Sequence, residues 1–268
     1  MFFRTAAQKT VFSLIAVLFA ITTCKDWLDF YTCGAVNRCL VDAGVLQYVT
    51  KCSMSLLLTV LAFIVSRDAI SGRDRNLLRA AFVFSFLADS CFSIIKLVGP
   101  DARDLSDILG IALFMFFQTI LIYRHSRKSD SDDSFPVLLW FLFAAAAIAI
   151  ALFCTGTIGL TLGNVTIALI AVYSFYLISS MVVGILAPRK GYFPAASAKC
   201  IRWGMVAFFI GDALVGLSLI SGEDHSAVQA VAEIANNFVW WVYVPAQLML
   251  ILGTKKGIRH GGTLETTI

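Results

Sequence analysis

Two aspartates, Asp89 and Asp212, have the type and setting to do chemistry in this chain. Each lies inside an apolar run. Arg79–Leu97 reads RAAFVFSFLADSCFSIIKL, and Arg202–Ile220 reads RWGMVAFFIGDALVGLSLI. In both runs the Asp follows the Arg by ten residues. On a helix that offset is about 15 Å, half of a bilayer's hydrocarbon core of about 30 Å. With each Arg at a membrane face, both carboxylates reach the midplane. An isolated ionised Asp there costs about 2.5–3.5 kcal/mol on insertion scales, so residues kept at that depth point to function. Two carboxylates brought together share their protons, one group protonated and one ionised near neutral pH. General acid–base hydrolysis needs such a pair. The structural alternative is that each Asp hydrogen-bonds a neighbouring helix.

Other polar residues in apolar settings are candidates to line the same site. Lys51, in Tyr48-Val49-Thr50-Lys51, falls at the end of an apolar run. It is read either as a snorkelling lysine or as a ligand for a phosphate or a carboxylate. Near the C-terminus, Tyr243 and Gln247 are four apart and share a helix face. Between them Pro245 frees the carbonyl of Trp241, which predicts a kink. A polar face beside a kink suits a cavity wall; interhelix hydrogen bonds are the alternative. Trp240 and Trp241 sit too deep for an interfacial belt and are assigned to the lining of a lipid-chain pocket. Gln118 and Tyr173 complete the set of candidate substrate contacts. The three histidines, at 125, 225 and 260, lie outside the apolar runs, and no Cys-x-x-Cys or Gly-rich phosphate loop occurs. Neither a metal nor another cofactor is expected.

The elements that must hold these residues are membrane helices. Hydrophobic residues make up 59% of the 268 and charged residues only 14%, against about 25% charge in soluble domains. An all-α, polytopic transmembrane bundle forming one membrane domain, 1–268, is the expected fold. Eight spans are read near 10–24, 48–66, 78–98, 106–124, 136–155, 164–187, 201–220 and 233–253. Arg4 and Lys9 ahead of the first run also suit a secretory signal, but no clean small-x-small cleavage site follows, and the run is read as a span. Placing both termini in the cytosol puts sixteen of the 21 Lys and Arg inside and five outside, as the positive-inside rule requires. The expected outer loop, 25–47, and cytosolic tail, 254–268, follow from this layout. Arg124–Asp133 and Ser71–Arg75 read as solvated cytosolic loops. Cys24, Cys33, Cys39 and Cys52 cluster in or beside the outer loop, where disulfides or free thiols are both open. The Asp-bearing spans are four apart, which suggests a 4+4 internal repeat with the two Asp facing across a cleft. The scattered basic residues form no nucleic-acid face.

The order of motifs resembles the YhhN-like family, the lysoplasmalogenases. Tyr48-Val49-Thr50-Lys51 resembles that family's Thr-Lys entry to a helix. Phe84-Ser85-Phe86-Leu87-Ala88-Asp89 resembles its Ser-x-x-Gly-Asp element, and Gly110-x-x-x-Phe114 its Gly-x-x-x-Phe. Tyr173 and Met181 resemble its Tyr-containing middle helix. Phe208-Phe209-Ile210-Gly211-Asp212 resembles its Phe-x-x-Ser-Asp element, and Tyr243-x-x-Ala246-Gln247 its terminal Tyr-x-x-Ala-Gln. Ala88 stands where the family has Gly, Gly211 where it has Ser, and Gln118 where a His is expected. The resemblance implies hydrolysis of the vinyl ether of lysoplasmalogen to a fatty aldehyde and a glycerophospho-ethanolamine or -choline. Asp89 and Asp212 are then the catalytic pair; Lys51, Gln118, Tyr173, Tyr243 and Gln247 are the substrate contacts. The implied partners are a lysophospholipid substrate and membrane lipids. The implied location is a multi-pass position in a bacterial inner membrane or the endoplasmic reticulum. A proton-coupled transporter is the rival class, because midplane carboxylates in a repeat also describe one. A non-catalytic lipid-binding protein is the third reading, and Gln118 is its best argument.

Overall fold

Inside hydrocarbon a backbone must satisfy its own N–H and C=O groups, so long apolar runs fold as helices. The computed structural model describes residues 3–33, 42–95, 103–128, 162–218 and 226–255. Among them are seven α-helices: α1 Ala6–Cys33, α2 Asp42–Val65, α3 Gly72–Ser90, α4 Arg103–Ser126, α5 Leu162–Leu186, α6 Ala195–Ser218 and α7 Ser226–Leu252. All but α3 contain a stretch long and apolar enough to cross a membrane. α3 starts in the polar Gly72–Arg79 segment and passes directly into a π turn, Cys91–Ile95, which carries its apolar run onward. The expected span at 136–155 lies outside the described residues.

Helices pack in chain order, each on the next, and α7 returns to contact α1 and α2. This closes the set around a shared core that includes Leu61, Phe82, Phe117, Met205, Phe208 and Leu250, all buried. The α6–α7 contact is the most extensive. Gly204 makes it close: a Cβ there would sit 3.2 Å from the carbonyl oxygen of Ala246. At α1, Thr5 and Gln8 form a reciprocal capping box. Gln8 N donates to Thr5 Oγ1 at 3.2 Å, and Gln8 Oε1 accepts in return from Thr5 N at 3.5 Å and from Arg4 N at 2.9 Å. Ser71 caps α3 by accepting from the backbone N–H of Asp74.

Several expectations are corrected here. α1 runs to Cys33 and α2 begins at Asp42, so Lys25–Cys33 and Asp42–Gln47 are helical, not outer loop. Lys25 and Asp29 pair at (i, i+4), and Trp27 packs edge-on against Phe238 of α7. Helical pairing and tertiary packing thus hold a polar stretch that composition alone reads as loop. Arg124 and Asp74 are not solvated; both side chains are fully buried. Arg124 Nε donates to Asp74 Oδ1 at 2.9 Å, and Nη2 reaches the carbonyl of Gly253 at 3.3 Å. His125 beside them is buried at the end of α4. Thr254, expected in the tail, donates to Asp74 Oδ2 at 2.6 Å. Cys24 and Cys52 are free thiols; Cys39 lies outside the described residues.

One local arrangement occurs twice. α2 and α5 each end in a 3-10 turn, Ser66–Asp68 and Ala187–Lys190, before the Asp-bearing helix begins. In each case the Arg ten residues ahead of the Asp reaches back to the end of the preceding helix. Arg79 Nη2 donates to Phe63 O at 3.1 Å, and Arg202 Nε donates to Ile185 O at 3.2 Å. The segments just after the two turns meet where Ser71 Oγ lies 3.1 Å from Tyr192 OH.

Candidate functional site

Six helices contribute polar side chains to one interior site. α2 gives Ser55, α3 gives Ser85 and Asp89 one turn apart, and α4 gives Gln118. α5 gives Tyr173 and Ser180, α6 gives Asp212, and α7 gives Tyr243 and Gln247 one turn apart. Polar groups withdrawn from water must find partners, and here they form two relays, one on each carboxylate.

The first ends at Asp89. Gln247 Nε2 donates to Ser85 Oγ at 3.1 Å. Ser85 Oγ lies 2.9 Å from Tyr243 OH, and Tyr243 OH donates to Asp89 Oδ2 at 2.8 Å. Because the tyrosine proton points at the carboxylate, Ser85 supplies the proton in its own contact with Tyr243. Ser55 Oγ donates to the same Oδ2 at 2.5 Å. The second relay ends at Asp212. Ser180 Oγ donates to Gln118 Oε1 at 2.5 Å, and Gln118 Nε2 reaches Tyr173 OH at 3.5 Å. Tyr173 OH donates to Asp212 Oδ2. Each carboxylate therefore holds one tyrosine hydroxyl, and each tyrosine is backed by a glutamine, directly or through one serine.

Between the relays lies an aromatic floor. Phe208 packs on Tyr243 at 5.6 Å, Phe114 on Tyr173 at 6.4 Å, and Phe114 on Phe208 at 6.2 Å between ring centroids. These contacts run unbroken from Tyr243 through Phe208 and Phe114 to Tyr173, joining the donor of one carboxylate to the donor of the other. Gln118, Ser180, Ser85, Ser55 and Gln247 are buried, while Asp89, Asp212 and Tyr173 keep partial access. Directly after Asp89 the helix widens into the π turn, and Ser106 Oγ of α4 donates to Cys91 O at 2.7 Å within it. Such turns recur at functional sites.

The structure thus brings together Asp89, Asp212, Gln118, Tyr173, Tyr243 and Gln247. Lys51 lies one turn along α2 from Ser55, and its Nζ is 3.7 Å from Asp26 Oδ2 and 5.8 Å from the Trp240 ring centroid. Trp240 faces inward against Tyr243. Trp241, expected to line a pocket, is instead 45% exposed and packs on Phe19 of α1. The serines and Asp26 were not among the sequence candidates. Ser55 and Ser85 carry a legible signal in (i, i+4) spacing, from Lys51 and Asp89, and Ser85 also in the Ser-x-x-Gly-Asp resemblance; Ser180 and Asp26 carry none. Among the described residues no group of three or more His, Cys, Asp or Glu is placed to hold a metal ion.

Neither a curated protein nor a solved structure matches the chain. The sequence profile of the YhhN family does match, from residue 46 to residue 254. That stretch takes in both relays and, apart from the first turn of α2, the six helices that build them, and the chain belongs to the YhhN family.

Proposed function

We propose that this protein is a lysoplasmalogenase-like hydrolase that cleaves the vinyl ether of a lysophospholipid inside the membrane. One observation carries the reading. Two aspartates from different helices each hold a tyrosine hydroxyl, and one run of aromatic contacts in the core joins the two tyrosines.

The chemistry divides between the two carboxyl groups. Oδ2 of Asp89 accepts from both Ser55 and Tyr243, an environment suited to a carboxylate. Oδ2 of Asp212 accepts from Tyr173, which leaves its other oxygen to carry a proton. Asp212 protonates the β-carbon of the vinyl ether, and the electrons of the double bond form the new C–H bond. The resulting oxocarbenium ion is stabilised by the Asp89 carboxylate. Asp89 then takes a proton from water as the water oxygen adds to the cation. The hemiacetal collapses to a fatty aldehyde and a free glycerol hydroxyl as Asp89 gives its proton to the departing glycerol oxygen and the hemiacetal hydroxyl gives its proton to Asp212. Catalysis by positioned carboxyl groups of split protonation is the general pattern, and no covalent intermediate is needed. Gln118, where the family resemblance expects a His, supports Tyr173 and takes no proton itself.

In this reading the chain spans the membrane eight times as a 4+4 repeat, with both termini and the basic segments cytosolic. The paired Arg79 and Arg202 contacts support the repeat.

The test is aldehyde release from a lysoplasmalogen by the detergent-solubilised protein. Asp89→Asn and Asp212→Asn are each expected to lower it by at least about a thousandfold while the protein keeps its helical content and monodispersity. Unaltered turnover in either variant removes the acid–base assignment.

A further inference from the structure

α1 lies outside the residues that the family profile matches, yet it sends Asp26 to the Lys51 end of the site. Asp26 is buried, and Gln47 Nε2 donates to its Oδ1 at 2.5 Å. Its Oδ2 faces Lys51 Nζ at 3.7 Å. At that separation the charges attract without a hydrogen bond between them. Withdrawing two opposite charges from water and pairing them this loosely is costly unless a further group satisfies both.

Two contact paths lead from this pair to the catalytic carboxylates. Lys51 stands one turn, about 6 Å along the axis, from Ser55, which bonds Asp89. Lys51 also lies over Trp240, whose ring packs 5.3 Å from that of Tyr243, the other donor to Asp89. A molecule bound at Lys51 and Asp26 is therefore within one helical turn of the reacting atoms.

The group that satisfies a lysine and a facing aspartate together is a zwitterion with a phosphate at one end and an ammonium at the other. Phosphoethanolamine fits, because its two-carbon link folds so that opposite charges lie side by side. Its ammonium donates N–H to a carboxylate, and trimethylammonium has none to donate. Resting on the vinyl-ether reading above, we infer that Asp26 and Lys51 form the headgroup subsite. Lys51 donates to the phosphate, Asp26 accepts from a primary ammonium, and ethanolamine headgroups are selected over choline. Sites built around a hydrogen-bonding group reject the analogue that lacks it, because their own polar atom is then left unsatisfied.

The full-length protein in detergent is assayed for aldehyde release from three substrates: 1-alkenyl-glycerophosphoethanolamine, its choline counterpart, and 1-alkenylglycerol, which has neither phosphate nor amine. It is also titrated calorimetrically with glycerophosphoethanolamine and glycerophosphocholine, which have no vinyl ether to cleave. Ethanolamine is expected to lead choline by about tenfold or more in kcat/KM and in affinity, the worth of a hydrogen bond to a charged group. Asp26→Asn is expected to bring that ratio to about one. Lys51→Met is expected to weaken both phosphate-bearing ligands by a similar factor. Equal use of the two headgroups by the unaltered protein, or a ratio unmoved by Asp26→Asn, overturns the subsite. If Asp26→Asn does not fold, the preference of the unaltered protein decides. Aldehyde from none of the three substrates removes the vinyl-ether reading, and the calorimetric preference still decides the subsite.

Discussion

At the residue scale the two carboxylates differ in their donors, and the roles proposed for them rest on that difference. Asp89 takes two O–H groups on one oxygen and Asp212 takes a tyrosine. Tyr243→Phe removes one donor from a charged acceptor. The expected cost is about 1.5–3 kcal/mol of transition-state stabilisation, a fall in kcat of roughly 10- to 100-fold with KM little changed. Tyr173→Phe is expected to act similarly. Single-turnover aldehyde release measures both, and unchanged kcat in the two variants would show the relays to be structural. Asp89, Asp212, Gln118, Tyr173, Tyr243 and Gln247 were legible in the sequence because ionisable and amide groups are conspicuous in apolar runs. Ser85 was legible only as part of the Ser-x-x-Gly-Asp resemblance, and Ser55 and Ser180 were not, because serine is common in membrane helices and its partners are set by tertiary contact.

At the element scale the strongest constraint is the close approach of α6 and α7, which holds Asp212 and Tyr243 in one core. Gly204 permits it, since a Cβ would meet the Ala246 carbonyl and the Leu250 side chain, each at 3.2 Å. Gly204→Val is expected to destabilise the protein by about 1–3 kcal/mol through overpacking. On the same helix, a Cβ on Gly216 would have nothing within 4 Å. Gly216→Ala is therefore expected to be neutral, or to stabilise by up to about 1 kcal/mol through the helix preference of alanine. Thermal unfolding in detergent compares the two, and equal effects would remove the packing argument. Helix type and approximate position were readable from apolar run length. The end of α1 was not, because Lys25–Asp29 pairing and the Trp27–Phe238 contact outweigh local polarity there.

At the scale of the whole molecule, the closed circuit of helices is clasped at the end opposite Lys51. Arg124 of α4 joins Asp74 of α3 to the Gly253 carbonyl just beyond α7, and Thr254 bonds the same carboxylate. Arg124→Met leaves Asp74 buried without its guanidinium partner, and the expected loss is about 3–5 kcal/mol. The double variant Arg124→Met/Asp74→Leu removes both charges and is expected to lose less than the single variant. Denaturant titration of the two in detergent checks the order, and the reverse order would show that the ion pair itself stabilises the fold. The sequence placed these residues in solvated loops because charged runs between spans usually are. Burial became acceptable only because three separate segments converge to satisfy every charge.

By itself, the amino-acid sequence determined that this protein is a bundle of apolar helices with two carboxylates inside apolar runs, each ten residues after an Arg. Run length, charge sparsity and the ten-residue Arg-to-Asp offset are local quantities, and hydrocarbon leaves a backbone few other ways to fold. The tertiary structure decided which hydroxyl meets which carboxylate, that Arg124 and Asp74 share a dry ion pair, and that α1 brings Asp26 to Lys51. Those pairings join residues from 25 to 154 positions apart. They depend on how helices rotate and lean against one another, and side-chain packing across the whole circuit sets that rotation.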